Sequence, residues 1–315
     1  MKLIPVETPQ DFLAAQQFIA PYEETCVSLA SLVRRKSDKL VFLVSSDEAV
    51  VEWPRSGCIE TTSLLGIINL DSTLYHCIPD PSQLEADFLK AQLPYFLKKP
   101  VRCISGEKIA TDFLIRIVDS INCGFDLSTG LRDRTSSGLL NHPAQIYDYK
   151  MLRWLSASKV VSIRPSDYST TLSGGEEIIR CTEHDMEALH QLQKDYMKEE
   201  VYVPGRPITD AEVDISLRQI LKNQLCFSLT VDGDIVAKAN TNAIGINCVQ
   251  IGGVYTNPLY RRNGYAGALV QALCNRALRS GKQPVLFVKE KNTPAFSLYQ
   301  KLGFAECGRY TIAYY

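Results

Sequence analysis

The chain has 315 residues, 45% of them hydrophobic and 22% charged, with a formal net charge of −1 and a pI of about 6.4. That length holds about two domains at roughly 150 residues each, and the composition is that of a globular protein able to bury its cores without disulfides or metal. A near-neutral chain exerts no global pull on nucleic acid or membranes, and no window reaches the 18 or so apolar residues of a membrane span.

In chain order, DFLAAQQFIA and TCVSLASLVRR read as helices, and KLVFLVSS, AVVEWP, LLGIINL and STLYHCIP as strands. SQLEADFLKAQLPYFLKK is a helical run interrupted at Pro94. VRCISG is a short buried strand, KIATDFLIRIVDSI a helix, and YDYKMLRWL a final strand. Between about residues 156 and 176, Ser, Thr, Pro and Gly dominate and mark a domain boundary, although VVSIRP also reads as a strand. Beyond it, IIR is a strand, and Thr182-x-x-Asp185 opens a helix through about Glu200 as a capping box. After the turn VPGRP, Thr209-x-x-Glu212 caps a helix carrying Val213, Leu217, Ile220 and Leu221. LCFSLTV and IVAKANT flank Asp232-Gly233, a strong hairpin signal. CVQIGGVYT, a helix over 262–280, PVLFV, a helix over 293–302 and GRYTIAYY complete the order. The same order of elements occurs twice, which points to a duplicated fold.

The ten cysteines stand singly (Cys26, Cys58, Cys77, Cys103, Cys123, Cys181, Cys226, Cys248, Cys274 and Cys307), with no C-x-x-C. His76, His142, His184 and His190 complete no zinc spacing. Reduced thiols acting as small apolar residues, and no metal, are therefore expected. MKLIPVETPQDF lacks an apolar stretch of signal-peptide length, so the expected location is cytoplasmic.

One stretch stands apart. In YRRNGYAGALV, Ala266, Leu269, Val270, Leu273 and Ala277 give the helix an apolar face, so Arg261, Arg262, Asn263 and Gly264 fall at its N-terminus, directly after a strand. The first turn of a helix leaves backbone N–H groups unpaired and carries about half a positive charge. Glycine lets the main chain approach a ligand, and cations there gain from an arriving anion, so the pattern calls for a phosphate or pyrophosphate. There is no G-x-x-x-x-G-K-[ST] and no clean G-x-G-x-x-G.

GGVYTNPLYRRNGYAGALVQAL, followed by KEKNTPAFSLYQKLGF, resembles the GNAT superfamily of acyl-CoA-dependent N-acyltransferases. The resemblance rests on Arg261-x-x-Gly264-x-Ala266 and on Asn292-x-x-Ala295-x-x-x-Tyr299-x-x-x-Gly303-Phe304. It covers about residues 176–315, and GGVYT before the arginines looks particularly like bacterial members in which a GNAT domain follows a diverged one. It implies two tandem α/β domains, each a mixed, mostly antiparallel sheet flanked by helices. Residues 1–165 would form a diverged domain, whose equivalent helix begins PDPSQLEADF and lacks the CoA motif. Residues 176–315 would form an acetyl-CoA-binding domain.

The resemblance also implies roles. Backbone amides of Arg262, Asn263, Gly264, Tyr265 and Ala266, with Arg261 beside them, would hold the CoA pyrophosphate. Val254, Tyr255 and Thr256 lie on the strand that offers main-chain groups to the pantetheine, and an exposed N–H there would polarise the thioester carbonyl. Asn292 would contact the CoA arm or cap a helix, and Ala295 and Phe296 would flank the cofactor. Tyr299 would protonate the departing thiolate as general acid. Many relatives carry a carboxylate on or near the strand before the motif; NCVQIGGVYT has none, and Gln250 cannot replace it. Glu199 and Glu200 are the nearest substitutes, with Glu200 the candidate base.

The expected activity is N-acetyl transfer from acetyl-CoA to an amine by direct attack. A non-catalytic acyl-CoA-binding regulator is the alternative, and a decayed interaction protein a further one. The acceptor cleft is expected around the first two helices of the second domain, VYVPGRP (201–207) with Arg206, and the N-terminal domain, which restricts that cleft or mediates homodimerisation. Aromatics such as Tyr202 and Tyr260 do not interleave with a basic stripe, so no nucleic-acid partner is expected.

Overall fold

The computed structural model describes residues 1–45, 63–122, 143–155, 169–171, 175–201 and 207–315. AVVEWP, VVSIRP, most of the composition boundary, Cys58, Cys123, His142, Tyr202 and Arg206 lie outside the described residues. The chain divides into unit 1, Met1–Met151 with Gly308–Tyr315, and unit 2, Leu152–Cys307. The chain end Gly308–Tyr315, read from sequence with the second domain, thus groups with unit 1.

In unit 1, β1 (Lys2–Pro5) leads to α1 (Pro9–Ile19) and α2 (Val27–Arg34). Thr8 and Asp11 start α1 with a reciprocal capping box. β2 (Leu40–Val44), β3 (Leu64–Asn69) and β4 (Thr73–Cys77) follow, then α3 (Ala86–Phe96), β5 (Cys103–Glu107) and α4 (Lys108–Asn122). β1 to β4 pair antiparallel in succession, whereas β4 and β5 are parallel. Leu74, Leu89, Leu93, Ile104, Leu114 and Val118 form the centre of the core. Each such side chain contributes about 1.5–3 kcal/mol by leaving water.

Pro94 does not interrupt its helix as the sequence reading expected: α3 runs through it to Phe96. Proline removes one N–H, aimed at the carbonyl four residues back. That residue, Lys90, is exposed, so water can serve its carbonyl.

Two strands run across the division between the units, β6 (Gln145–Trp154) and the final strand described below. Unit 2 contains β7 (Ser169–Thr171), β8 (Glu177–Arg180), α5 (Met186–Tyr196), α6 (Asp210–Asn223), β9 (Cys226–Val231), β10 (Asp234–Ile244) and β11 (Cys248–Thr256). It continues with α7 (Tyr265–Arg279), β12 (Gln283–Lys289), α8 (Thr293–Lys301) and the start of β13 (Phe304–Tyr314). Both expected capping boxes form, at Thr182–Asp185 and Thr209–Glu212. Asp232 and Gly233 both take positive φ, 52° and 91°, as a tight two-residue hairpin requires.

Strand pairing in unit 2 repeats that of unit 1. β8, β9, β10 and β11 pair antiparallel, and β11 with β12 is the parallel step. The two units therefore share one element order, strand–two helices–three strands–helix–strand–helix, with the parallel step at the same place. Each sheet is mixed and mostly antiparallel, as expected.

The α7 face reads as predicted, with Leu269, Val270, Leu273 and Ala277 buried and Ala266 half-buried. The helix itself begins later than the sequence reading placed it, at Tyr265 rather than residue 262, because Arg262 and Gly264 both take left-handed backbone, φ 70° and 83°. Likewise the first helix of unit 2 stays α-helical only to Tyr196 and continues as a π turn, Met197–Val201. Among the described cysteines, all but Cys307 are buried and all are free thiols.

Candidate active site

The loop between β11 and α7 is built by backbone of alternating hand. Arg262 and Gly264 are left-handed and Asn263 between them is not. Successive amides in such an arrangement turn toward one concave side, a preformed anion cradle. In α7, Ala268 N–H donates to the Gly264 carbonyl at 3.1 Å, so the amides ahead of it belong to the first turn, where no intrahelical acceptor exists. A Cβ added to Gly264 would have no heavy atom within 4 Å, so the space above the loop is open. Arg262 is exposed and makes no ion pair among the described residues. Asn263 folds back instead, its Nδ2 donating to the Tyr260 carbonyl at 3.2 Å.

Arg261 is turned elsewhere. Its Nη2 donates to both Glu199 oxygens at 3.0 and 2.9 Å, and its Nε to the Thr256 carbonyl at 3.0 Å. The guanidinium also lies 5.4 Å from the Tyr255 ring centre. Tyr255 is buried and donates to Glu199 at 2.9 Å; burial first, then that carboxylate, pushes its phenol up to about 12. Glu199 therefore anchors the loop to the π turn rather than standing free as a base.

At the corresponding place in unit 1, an acid occupies the helix approach. Asp80 accepts from Ser82 N–H at 3.1 Å and from Gln83 Nε2 at 2.9 Å, closing the turn on itself.

β11 and β12 pair only from Cys248–Gln283 to Ile251–Leu286. Past Ile251, β11 has left that partner, so Val254, Tyr255 and Thr256 lie on its separated stretch. Val254 and Thr256 are half-buried, and the buried Thr256 Oγ1 has no hydrogen-bond partner.

Asn292 is the expected helix cap, and it also reaches a residue that the sequence reading did not pair with it. Its Oδ1 caps α8 by accepting from Ala295 N–H at 3.2 Å, and its Nδ2 donates to Glu200 at 3.2 Å. Glu200 also pairs with Lys289 at 3.3 Å. Ala295 and Phe296 pack half-buried against the core of unit 2, and Tyr299 is buried within it, 6.1 Å from the Phe304 ring centre. Burial, then the nearby charge of Glu200 and the phenol of Tyr196, hold the Tyr299 phenol above its ordinary range. Tyr265 donates to Glu176 at 3.3 Å.

Three residues that the sequence reading did not single out complete the site: Tyr196, Lys238 and Asn240. β11 carries a bulge, its pairing with β10 skipping between Lys238–Tyr255 and Asn240–Gly252. Gly253 in that bulge has φ 58°, and its carbonyl accepts from Lys238 Nζ at 3.0 Å. Lys238 is fully buried, donates also to Asn240 Oδ1 at 3.2 Å, and lies 4.9 Å from the Tyr196 ring centre. Tyr196 is pushed up to about 12, first by burial and then by Glu200, with a hydrogen bond from the Gly253 backbone acting the other way. Tyr196 on α5 and Tyr299 on α8 thus sense the same carboxylate. The signal available in sequence was a lysine at an apolar strand position, in VAKANTN, followed by the glycine pair of QIGGV.

Burial pulls the Lys238 ammonium below its ordinary 10.5, outweighing the opposing influence of Cys226 and Cys181. The unfolded chain then binds a proton that the folded chain does not, over the window from the depressed value up to 10.5. Stability must therefore rise with pH through that window. Compared with Lys238→Met, the parent protein is expected to gain stability as pH rises toward 10, measured by denaturant unfolding; parallel pH curves would contradict it.

The family model described as "Acetyltransferase (GNAT) family" matches residues 186–304. Among solved structures, a GNAT-family acetyltransferase from Colwellia psychrerythraea aligns over 100% of both chains at 10% identity, with a TM-score of 0.52. A Drosophila protein aligns over 99% of this chain and 98% of its own at 11% identity, with a TM-score of 0.56. A predicted acetyltransferase from Clostridium acetobutylicum, solved with acetyl-CoA, aligns over 42% of this chain and 91% of its own at 22% identity, with a TM-score of 0.36. No match is found among curated proteins. At these identities the structural likeness is one of fold.

Proposed function

We propose that the chain, matched over residues 186–304 by the GNAT family model, is an acetyltransferase of that kind, whose unit 2 binds acetyl-CoA and transfers its acetyl group to an amine. The observation that carries this reading is the loop of alternating hand at Arg262–Gly264, placed between a strand that leaves its neighbour and the start of α7. Acetyl-CoA supplies an acetyl group already activated as a thioester.

The residues fit that ligand. Amides of Arg262–Ala266 would hold the pyrophosphate, with the Arg262 side chain beside it. Arg261 would contribute by fixing the loop through Glu199 rather than by touching phosphate. The main chain at Val254–Thr256 would receive the pantetheine, and Asn292, Ala295 and Phe296 would border it. Tyr299, kept protonated by burial and by Glu200, holds a proton at its hydroxyl for the departing sulfur. The expected acceptor is a neutral amine.

A second reading keeps the ligand and drops the turnover: a non-catalytic acyl-CoA sensor. It is favoured by the engagement of Glu199 with Arg261 and of Glu200 with Lys289, which leaves neither carboxylate unpaired. Acetyl-CoA binding without acetyl transfer to any of a panel of primary amines would support it.

A thermal shift with acetyl-CoA, on the parent protein and on Gly264→Glu, tests the shared premise. A ligand at about 100 times its dissociation constant stabilises the folded state by roughly 2.7 kcal/mol. The parent is expected to shift and a folded Gly264→Glu is not, because its carboxylate occupies the open space and repels phosphate. An unshifted parent would end the acyl-CoA reading.

A further inference from the structure

A lysine with no carboxylate among its hydrogen-bond partners, sealed from solvent at the bulge of β11, calls for an explanation, since burying an amine is costly unless its donors are used. Its two hydrogen-bond acceptors are the Gly253 carbonyl at 3.0 Å and Asn240 Oδ1 at 3.2 Å. Asn240 is itself held, its Nδ2 donating to the Thr241 carbonyl and to Asn242 Oδ1, both at 3.1 Å. Lys238, Asn240 and Asn242 thus form a polar seam beneath a pair of glycines. A Cβ on Gly252 would lie 2.2 Å from Asn242 Nδ2, and one on Gly253 would lie 1.8 Å from Asn240 Oδ1. The seam takes the space that side chains of β11 would otherwise fill, and it brings the amine to the backbone.

The consequence follows from peptide geometry. No cis peptide bond occurs among the described residues, and in a planar trans peptide the C=O and the next N–H point in opposite directions. The Gly253 carbonyl points at Lys238, so the Val254 N–H points away from it. Val254 lies on the stretch of β11 that has parted from β12. A donor on the carbonyl also polarises the peptide and strengthens the N–H at its other end.

We propose that Lys238 is a positioning residue for the acyl group: by holding the Gly253 carbonyl it sets the plane of the Gly253–Val254 peptide and aims the Val254 N–H at the thioester carbonyl oxygen. This rests on the acyl-CoA reading of the site and adds to it a residue from β10. Lys238 does not touch the acyl group. Its contribution passes through one peptide unit, which is why full burial is compatible with the role.

The test needs no acceptor amine. Acetyl-CoA labelled with ¹³C at the acetyl carbonyl is bound to the full-length protein, and the carbonyl stretch is read by infrared difference spectroscopy. The expected bound frequency in the parent lies below that of free acetyl-CoA. In Lys238→Met it moves back toward the free value, and the preference for acetyl-CoA over CoA falls about threefold to tenfold, the worth of one hydrogen bond, while CoA affinity is retained. Lys238→Gln, which keeps a shorter donor, is expected between the two and decides the question if Lys238→Met does not fold. A parental frequency and preference in a folded variant would overturn the role of Lys238 and leave the acyl-CoA reading intact. Failure of the parent to bind either CoA or acetyl-CoA would overturn both.

Discussion

Gly253→Ala is expected to lower the stability of unit 2 by about 3 kcal/mol or more. Two costs add. A left-handed conformation costs a residue with a Cβ about 1–2 kcal/mol, and Gly253 has φ 58°. The new methyl would also lie 1.8 Å from Asn240 Oδ1, so Asn240 must leave. Its departure strips Lys238 of one of two acceptors, and an unsatisfied buried polar group costs about 1–3 kcal/mol. Gly264→Ala is the control, since Gly264 is equally left-handed at φ 83° but has nothing within 4 Å of its Cβ position. It should lose only the backbone contribution. Denaturant unfolding of the two variants side by side separates strain from collision, and equal losses would mean that the bulge does not depend on the seam.

Acid should destabilise unit 1 through one histidine. His76 on β4 is 1% exposed, and its Nε2 lies 2.9 Å from Thr111 Oγ1. Its Nδ1 has no partner. The ring fills the space over the neighbouring β5 residue, where a Cβ on Gly106 would lie 2.1 Å from Nε2. Burial without an acid beside it pushes the imidazole down from 6.5 to about 3. Between those values the unfolded chain carries a proton that the folded chain refuses, so stability falls as pH falls from 6.5 toward 3. Each unit of difference is about 1.4 kcal/mol, so the full loss is on the order of 5 kcal/mol, comparable with the whole stability of many domains. Against His76→Gln, which has no such titration, the parent should lose stability steadily between pH 6.5 and 4 in urea unfolding. The same acid dependence in both proteins would place the sensitivity elsewhere.

Much of the site was legible because it is local. Arg261 to Ala266 lie within one turn, Asn292 to Tyr299 within two, and each pattern is confined to the chemistry of a helix start. The capping boxes at Thr182 and Thr209, and the Asp232-Gly233 turn, formed where their residues required. Asn292 shows how local reading also leaves a choice open. Its cap to Ala295 follows from position, whereas its second bond, to Glu200, comes from another helix altogether.

What sequence could not assign was the partner of each charge. Arg261, grouped with a phosphate loop by spacing, spends its guanidinium on Glu199, 62 residues earlier. Glu200, named as a base, is engaged by Lys289 and Asn292. Neither pairing has a periodicity, because each depends on the π turn that ends α5 and on the packing of that turn near β11 and α8.

The sequence by itself determined the order of helices and strands, which face of α7 is apolar, and that Arg262 and Gly264 come just before unit 2's longest helix, since these follow from neighbours a few bonds apart. Only the tertiary structure decided that Lys238 turns inward to a glycine carbonyl, that Asn240 and Asn242 replace the missing side chains of Gly252 and Gly253, and that His76 is sealed over Gly106. Those outcomes depend on strand register, and a bulge of one residue changes which groups meet; the energy that selects the register is summed over many strand pairs and the helices packed on them, not written in any short stretch.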